Sequence, residues 1–151
     1  MPVRIQPEPF DAGAELMALT SGRADIGASV TFVGQVRDLS GGEKLHTMTL
    51  EHYPAMAQAE LERIEAEART RFEVQDIEII HRFGDLTPGD PIVLVIATSA
   101  SRQPAFDAAN FVMDFLKTSA PFWKKEHGED SSHWVEARKS DDAATEKWQR
   151  R

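Results

Sequence analysis

The sequence predicts one domain that mixes helices with strands, and three observations carry that prediction. The 151 residues are 41% hydrophobic, enough to build a real core. Two runs read as strands: 27–37 (GASVTFVGQVR), marked by β-branched and aromatic residues, and 91–99 (PIVLVIATS), nearly all apolar. Two others, 54–72 and 104–117, carry apolar residues at helical spacing.

Taken in order, Asp11 N-caps a short helix with Ala12, Leu16 and Leu19 on one face, ending near Ser21-Gly22. In the 27–37 strand, Gly34 marks a bulge or a close approach. Residues 38–44 (DLSGGEK) read as a flexible loop, and 45–52 alternates as a strand with His46, Met48, Leu50 and His52 on one side. Pro54 opens a helix whose buried stripe is Ala57, Leu61, Ile64 and Ala68. Glu65 with Arg69, and Glu67 with Arg71, are expected as ion pairs on its wet side. Strands at 74–83 and 91–99 follow, joined by a turn at 84–90; the second is nearly all apolar and should lie centrally with both faces covered. Pro104 suits the first turn of the next helix. A last strand at 132–138 holds Trp134, and Ser140 caps a weak helix to residue 151. The domain therefore spans 1–151, with 140–151 expected to be a fraying, mobile tail.

Charge and composition exclude several classes. The formal net charge of −8, without a basic stripe, argues against a nucleic-acid binder. No run approaches the roughly 20 apolar residues of a membrane span, and residues 1–10 lack the order of a signal peptide, so the cytoplasm is the expected location. The five histidines show no HxH or HxxxH spacing, so neither metal nor other cofactor is expected. Cysteine is absent, which removes thiolate nucleophiles and persulfides; any sulfur chemistry would need its sulfur delivered by another molecule.

The stretch 116–126 (LKTSAPFWKKE) stands out in so acidic a chain. It places Lys117, Lys124 and Lys125 beside Phe122 and Trp123, around Pro121. Two readings stand. Lys117 complements the negative end of a helix dipole and the other lysines are solvated, or the turn at Pro121 brings Lys124 back toward Lys117 in a partly dry pocket. Asp107, Asn110, Asp114 and Lys117 form a polar line along the helix that ends at Lys117. At the start of that helix, Ser101 and Arg102 fit either an anion pocket or plain capping by Ser101. Arg37 lies where a strand enters a Gly-rich loop, a common place for a ligand contact, though an exposed strand-end arginine is the more frequent case. At 1.5 Å per residue, roughly 20 Å separates Arg102 from Lys117. One small anion cannot easily meet both in the same chain, so a shared site calls for a homodimer.

The segments TFVGQVRD, MTLEHYP, IIHRFGDLTPGD, SASRQPAF, MDFLKTSAPFWKKE and WVEAR, in that order over about 27–141, resemble the large, catalytic subunit family of molybdopterin synthase. The resemblance implies an α+β fold, an α/β hammerhead with an additional antiparallel β subdomain. It implies a sulfurtransferase that makes the dithiolene of molybdopterin from cyclic pyranopterin monophosphate. The sulfur would arrive as the C-terminal thiocarboxylate of a small ubiquitin-like sulfur-carrier subunit, with the large subunit a homodimer carrying one carrier at each end. By position, Lys117 and Lys124 match the catalytic lysines, with Lys117 expected to be the more enclosed. Gln35, Val36 and Arg37 fall on a substrate-contacting segment, Ser101 and Arg102 on a pair supplied by the neighbouring subunit, and Lys125 and Glu126 extend the pocket. Two positions depart: Ser101 stands where relatives often have histidine, and Gln35 where lysine is frequent, so the pocket is less cationic. A non-catalytic binder of the same carrier is the alternative reading. A phosphate-ester enzyme is disfavoured by the lack of an acidic metal-binding cluster.

Overall fold

The computed structural model describes residues 2–37, 39–40, 43–128, 132–135, 144–146 and 148. Its elements are β1 (Val3–Gln6), α1 (Ala12–Thr20), β2 (Ala28–Gln35), β3 (Leu39–Ser40), β4 (Glu43–His52), α2 (Pro54–Arg71), β5 (Asp76–Arg82), β6 (Gly84–Leu86), β7 (Pro91–Ser99), α3 (Arg102–Thr118), β8 (Phe122–Gly128) and β9 (Ser132–Val135). They form two sheets. The first is four-stranded in the order β1-β5-β7-β2, and the second runs β3-β4-β8-β9 with β6 also paired to β4. This is the expected α+β architecture. No helix among the described residues is long and apolar enough to cross a membrane.

The first sheet is packed on both faces. Along β7, Val93, Val95 and Ala97 meet Leu61, Ile64 and Ala68 of α2 and Ala108, Phe111 and Val112 of α3. The alternate residues Leu94 and Ile96, with Ile80 of β5, are covered by Phe10 and by Ala12, Leu16 and Leu19 of α1. A strand buried on both sides has no polar face, which is why its sequence reads as one apolar run. The stripe of α2 is fully buried as expected, and Asp11 caps α1 through the N–H of Ala14 at 3.0 Å.

Several expectations change. β1 was not legible, because its four residues sit in a short proline-rich stretch; it is fixed by parallel pairing to β5, with Val3 opposite Ile79. The supposed loop at 38–44 contains β3, whose Leu39 and Ser40 pair with Lys44 and Glu43 of β4. The supposed turn at 84–90 begins as β6, whose Leu86, Asp85 and Gly84 pair with Met48, Thr49 and Leu50. Gly84 takes φ 93°, a left-handed conformation that glycine adopts without strain, as the chain leaves the first sheet for the second. On α2, Glu65 does pair with Arg69, but it is buried rather than on a wet face. Glu67 pairs with Arg63, while Arg71 donates to the Trp148 carbonyl at 2.6 Å.

Gly34 sits at a register shift in β2, and a Cβ there would lie 2.7 Å from Val93 Cγ1. Trp148 reaches into the main core, only 4% exposed; its Nε1 donates to Asp114 Oδ2 at 2.6 Å, and its ring meets Phe72 and Phe111. Ser140 and Asp141 lie outside the described residues, as do Glu136, Ala137 and Arg138 of the expected last strand.

Candidate functional site

Two chain crossings between the sheets lie side by side. β5 ends at Arg82 and passes through Phe83 into β6, and α3 ends at Thr118 and passes through Ser119, Ala120 and Pro121 into β8. Phe122 is the first residue of β8, and it packs against both the main core and the smaller one formed by Val36, Met48, Leu50, Leu86 and Ile92. Lys117 precedes this joint and Lys124 follows it.

Strand alternation gives Lys124 its direction. On β8, Phe122, Lys124 and Glu126 are opposite His52, Leu50 and Met48 of β4, and Met48, Leu50 and Glu126 are buried. Lys124 therefore lies on the inner face and is half-buried, whereas Lys117, at the end of α3, is exposed in the single chain. The expectation that Lys117 is the more enclosed of the two is reversed. The reason is geometric: Lys117 ends a helix on its polar line, while Lys124 sits in the middle of a sheet. Lys125, opposite Thr49, is on the reverse face of β8 from Lys124, so of the pair expected to extend the pocket only Glu126 shares Lys124's face.

Both lysines bear on one buried imidazole. His81 of β5 follows Ile77 and Ile79 on the face packed by α2 and α3, and it is only 8% exposed. Its Nδ1 donates to the Arg82 carbonyl at 2.9 Å, which leaves Nε2 as the acceptor of a neutral ring. Burial, above all, pushes its pKa down to about 4; the Arg82 carbonyl works the other way, and the positive charges of Lys124, Lys117 and His52 add to the lowering. The ring lies flat on Phe122, with centroids 3.9 Å apart and planes 15° off parallel. Across Phe122 packs His52, at 5.6 Å and 15°, which also meets Phe83 at 4.4 Å. Burial likewise lowers the pKa of His52, partly offset by Glu51. Arg82, beside His81 in sequence, has a structural role: its guanidinium donates to the carbonyls of Pro7 and Pro91 at 2.9–3.1 Å.

The remaining candidates are spread over two other places. Ser101 and Arg102 begin α3, and Ser101 makes no side-chain cap bond, so plain capping does not account for it. With Gly27, Ala28, Ala100 and Gln103 they line a depression of about 510 Å³. The depression is the far end of α3 from Lys117. Arg37 stands exposed just beyond β2. The neighbouring Val36 is pinned by its N–H to the Asp90 carbonyl at 2.9 Å and by its carbonyl to the Gly89 N–H at 2.7 Å. Its side chain belongs to the smaller core, so Val36 holds the segment rather than offering a free group. Gln35 donates to the Gly89 carbonyl at 3.4 Å.

The charges of Lys117 and Lys124 both reach His81, while Ser101 and Arg102 lie at the other end of α3. Neither His81 nor His52 is among the site residues expected from the sequence. No local signal marks them, because they come from different strands of different sheets and meet only across Phe122.

The chain is similar to known proteins over nearly its whole length. The family model described as MoaE protein matches residues 5–119. A molybdopterin synthase catalytic subunit from Mesorhizobium japonicum is 55% identical over 97% of this chain and 92% of its own. One from Rhizobium meliloti is 57% identical over 99% and 96%. Among solved structures, a molybdopterin biosynthesis MoaE protein from Burkholderia ambifaria superimposes with TM-score 0.81 at 48% identity, covering 97% of both chains. Molybdopterin synthase from Staphylococcus aureus gives 0.82 at 31% identity, over 90% of this chain and 98% of that one. The chain belongs to the MoaE protein family, that of the molybdopterin synthase catalytic subunits.

Proposed function

We propose that this chain carries out the sulfur-transfer chemistry of its family, building the dithiolene of molybdopterin on cyclic pyranopterin monophosphate. The sulfur comes from the thiocarboxylate terminus of a small ubiquitin-like carrier subunit. The observation that carries the reading is that the charges of Lys117 and Lys124, one on each side of the Phe122 joint in sequence, both act on one buried imidazole stacked on that ring. Two amines beside a group that adds no third charge suit an anionic sulfur donor meeting a phosphorylated acceptor.

Each side chain has a role in this reading. Lys117, exposed at the helix end, meets the reacting carbon, by proton transfer or by a transient covalent adduct. Lys124, half-buried on β8, orients the thiocarboxylate and stabilises the charge that develops as the acyl–sulfur bond breaks. In each transfer the thiocarboxylate sulfur bonds to a side-chain carbon of the pterin as a C–O bond at that carbon breaks, and water then cleaves the acyl–sulfur bond, leaving the sulfur on the pterin and a carboxylate on the carrier. Arg37 and Arg102 hold the phosphate and pterin end, with Gln35 and Ser101 as uncharged hydrogen-bonding neighbours. Because α3 sets Arg102 roughly 20 Å from Lys117, Ser101 and Arg102 serve this site from a second copy of the chain, so the working form is a homodimer with a carrier on each subunit. We place the reaction in the cytoplasm, where a reducing environment preserves a thiocarboxylate.

The test is synthesis by purified protein from thiocarboxylated carrier and cyclic pterin, set against the Lys117→Ala protein. The variant should bind carrier as the parent does while turnover falls about 10²- to 10⁴-fold, the range for a lost acid/base group. Parent protein that binds carrier yet makes no dithiolene would replace this reading with that of a non-catalytic carrier-binding protein. Borohydride added during turnover separates the two routes for Lys117: no trapped adduct disfavours the covalent one.

A further inference from the structure

The two lysines belong to different halves of the molecule. Lys117 lies near the end of α3, whose buried side is part of the main core, and Lys124 lies on β8, opposite Leu50 of the smaller one. How far apart their amines sit is therefore decided by how the two cores meet, and the residue shared by both is Phe122. Pro121 and Ala120 leave little slack on the helix side, and Phe122 N–H closes that turn onto the Ala120 carbonyl at 2.8 Å.

Two imidazoles stack on the Phe122 ring. His81 comes from the first sheet and lies flat against it at 3.9 Å, while His52 comes from the second and stacks across it at 5.6 Å, itself backed by Phe83 at 4.4 Å. The His81 ring cannot spin freely, because its Nδ1–H is tied to the Arg82 carbonyl at 2.9 Å, and Arg82 is in turn fastened to Pro7 and Pro91. A flat ring is something that leucine or valine could not supply, although either would fill a core position on a strand as buried as DIEIIHR. The stack thus links the end of β5 in one sheet, through the joint, to the end of β4 in the other.

We propose that His81 and His52, acting through Phe122, are positioning residues that set the spacing of Lys117 and Lys124 for sulfur transfer. This rests on the function proposed above. Neither histidine needs to touch substrate. Their contribution is to fix the joint, and a shift of about 1 Å in a reacting group is enough to lower a rate by some 10²-fold.

The test uses the full chain with its thiocarboxylated carrier and three variants, His81→Leu, His81→Phe and His52→Leu. His81→Leu removes the flat ring and should lower kcat about 10- to 100-fold while KM and carrier affinity stay within about 2-fold of the parent. His81→Phe restores a flat ring without the tether and should recover kcat to within about 3-fold of the parent. A merely structural role would not give that rescue at constant KM. A second readout needs no turnover: a short bifunctional amine reagent should link Lys117 to Lys124 in the parent and in His81→Phe, and lose that link in His81→Leu. His52→Leu, at the half-buried end of the stack, should give the same pattern, and it decides the matter should His81→Leu fail to fold. A folded His81→Leu or His52→Leu protein with parental kcat and an intact link overturns the inference. Should the parent make no dithiolene, the proposed function falls, and the linking pattern alone then decides whether the stack sets the spacing.

Discussion

Gly27 offers a sharp test of the anion seat at the start of α3. It precedes β2, its N–H donates to the Ser99 carbonyl at 2.9 Å, and it lines the depression with Ser101 and Arg102. A Cβ added here would fall 2.0 Å from the Ala100 carbonyl oxygen and 2.9 Å from its carbon, whereas ordinary contact begins at 3.4 Å. The obstacle is backbone, not a side chain that can swing away, so Gly27→Ala must push the Ala100-Ser101 segment outward by more than an ångström. Overpacking of this kind costs about 1–3 kcal/mol, and each kcal/mol lowers the melting temperature of a domain this size by about 2–4 °C. The functional effect should exceed the stability effect. Displacing Ser101 and Arg102 by about 1 Å should raise KM for the phosphorylated pterin about 10- to 100-fold. Because Lys117 is at the other end of α3, kcat should change little. Steady-state kinetics with saturating carrier, paired with thermal melts, measures both. A variant whose melting temperature drops while KM for the pterin is unmoved would show that the phosphate is seated elsewhere.

Three further outcomes follow from the same geometry. Lys124→Ala should lower turnover more than carrier binding if, as proposed, the half-buried amine acts on the breaking acyl–sulfur bond; equal losses in both would make it a docking residue instead. His81 should leave a mark on the pH dependence of stability. Its pKa is 6.5 in the unfolded chain and about 4 when folded, so above 6.5 both states are neutral and nothing is lost. As pH falls through that window the unfolded chain binds a proton that the folded one resists. Stability therefore declines on acidification and levels off below about 4, a total of about 3 kcal/mol. The charges facing this ring are Lys117, Lys124 and His52. Denaturant titrations of His81→Phe across the window should show a shallower slope than the parent, and an unchanged slope would refute the assignment. Trp148→Ala should destabilise the fold by about 3–5 kcal/mol, because the ring is buried against Phe72 and Phe111 and its Nε1–H is bonded to Asp114. A loss below about 1 kcal/mol, on the same scale, would mean that this segment adds little to the core.

Much of the fold was legible from the chain alone because its signals are local. The stripe Ala57-Leu61-Ile64-Ala68 follows from helical period, the doubly covered β7 from an unbroken apolar run, the α1 cap from Asp11, and the β2 bulge from Gly34. The same holds for the residues that carry chemistry. Lys117, Lys124, Arg37, Ser101 and Arg102 could be singled out by type and position, and the distance along α3 already separated Arg102 from Lys117. What the sequence could not supply depended on partners far along the chain. β1 exists because β5 offers it an edge, and β6 because β4 does. Glu65 is buried because the helix packs more deeply than its polarity suggests, and Lys124 is the more enclosed amine because a sheet surrounds it. His81 and His52 read as ordinary strand residues until tertiary packing stacks them on Phe122. Period and residue type are written in neighbouring positions and survive in one dimension; the meeting of two sheets at one ring is a long-range contact, and only the folded chain records it.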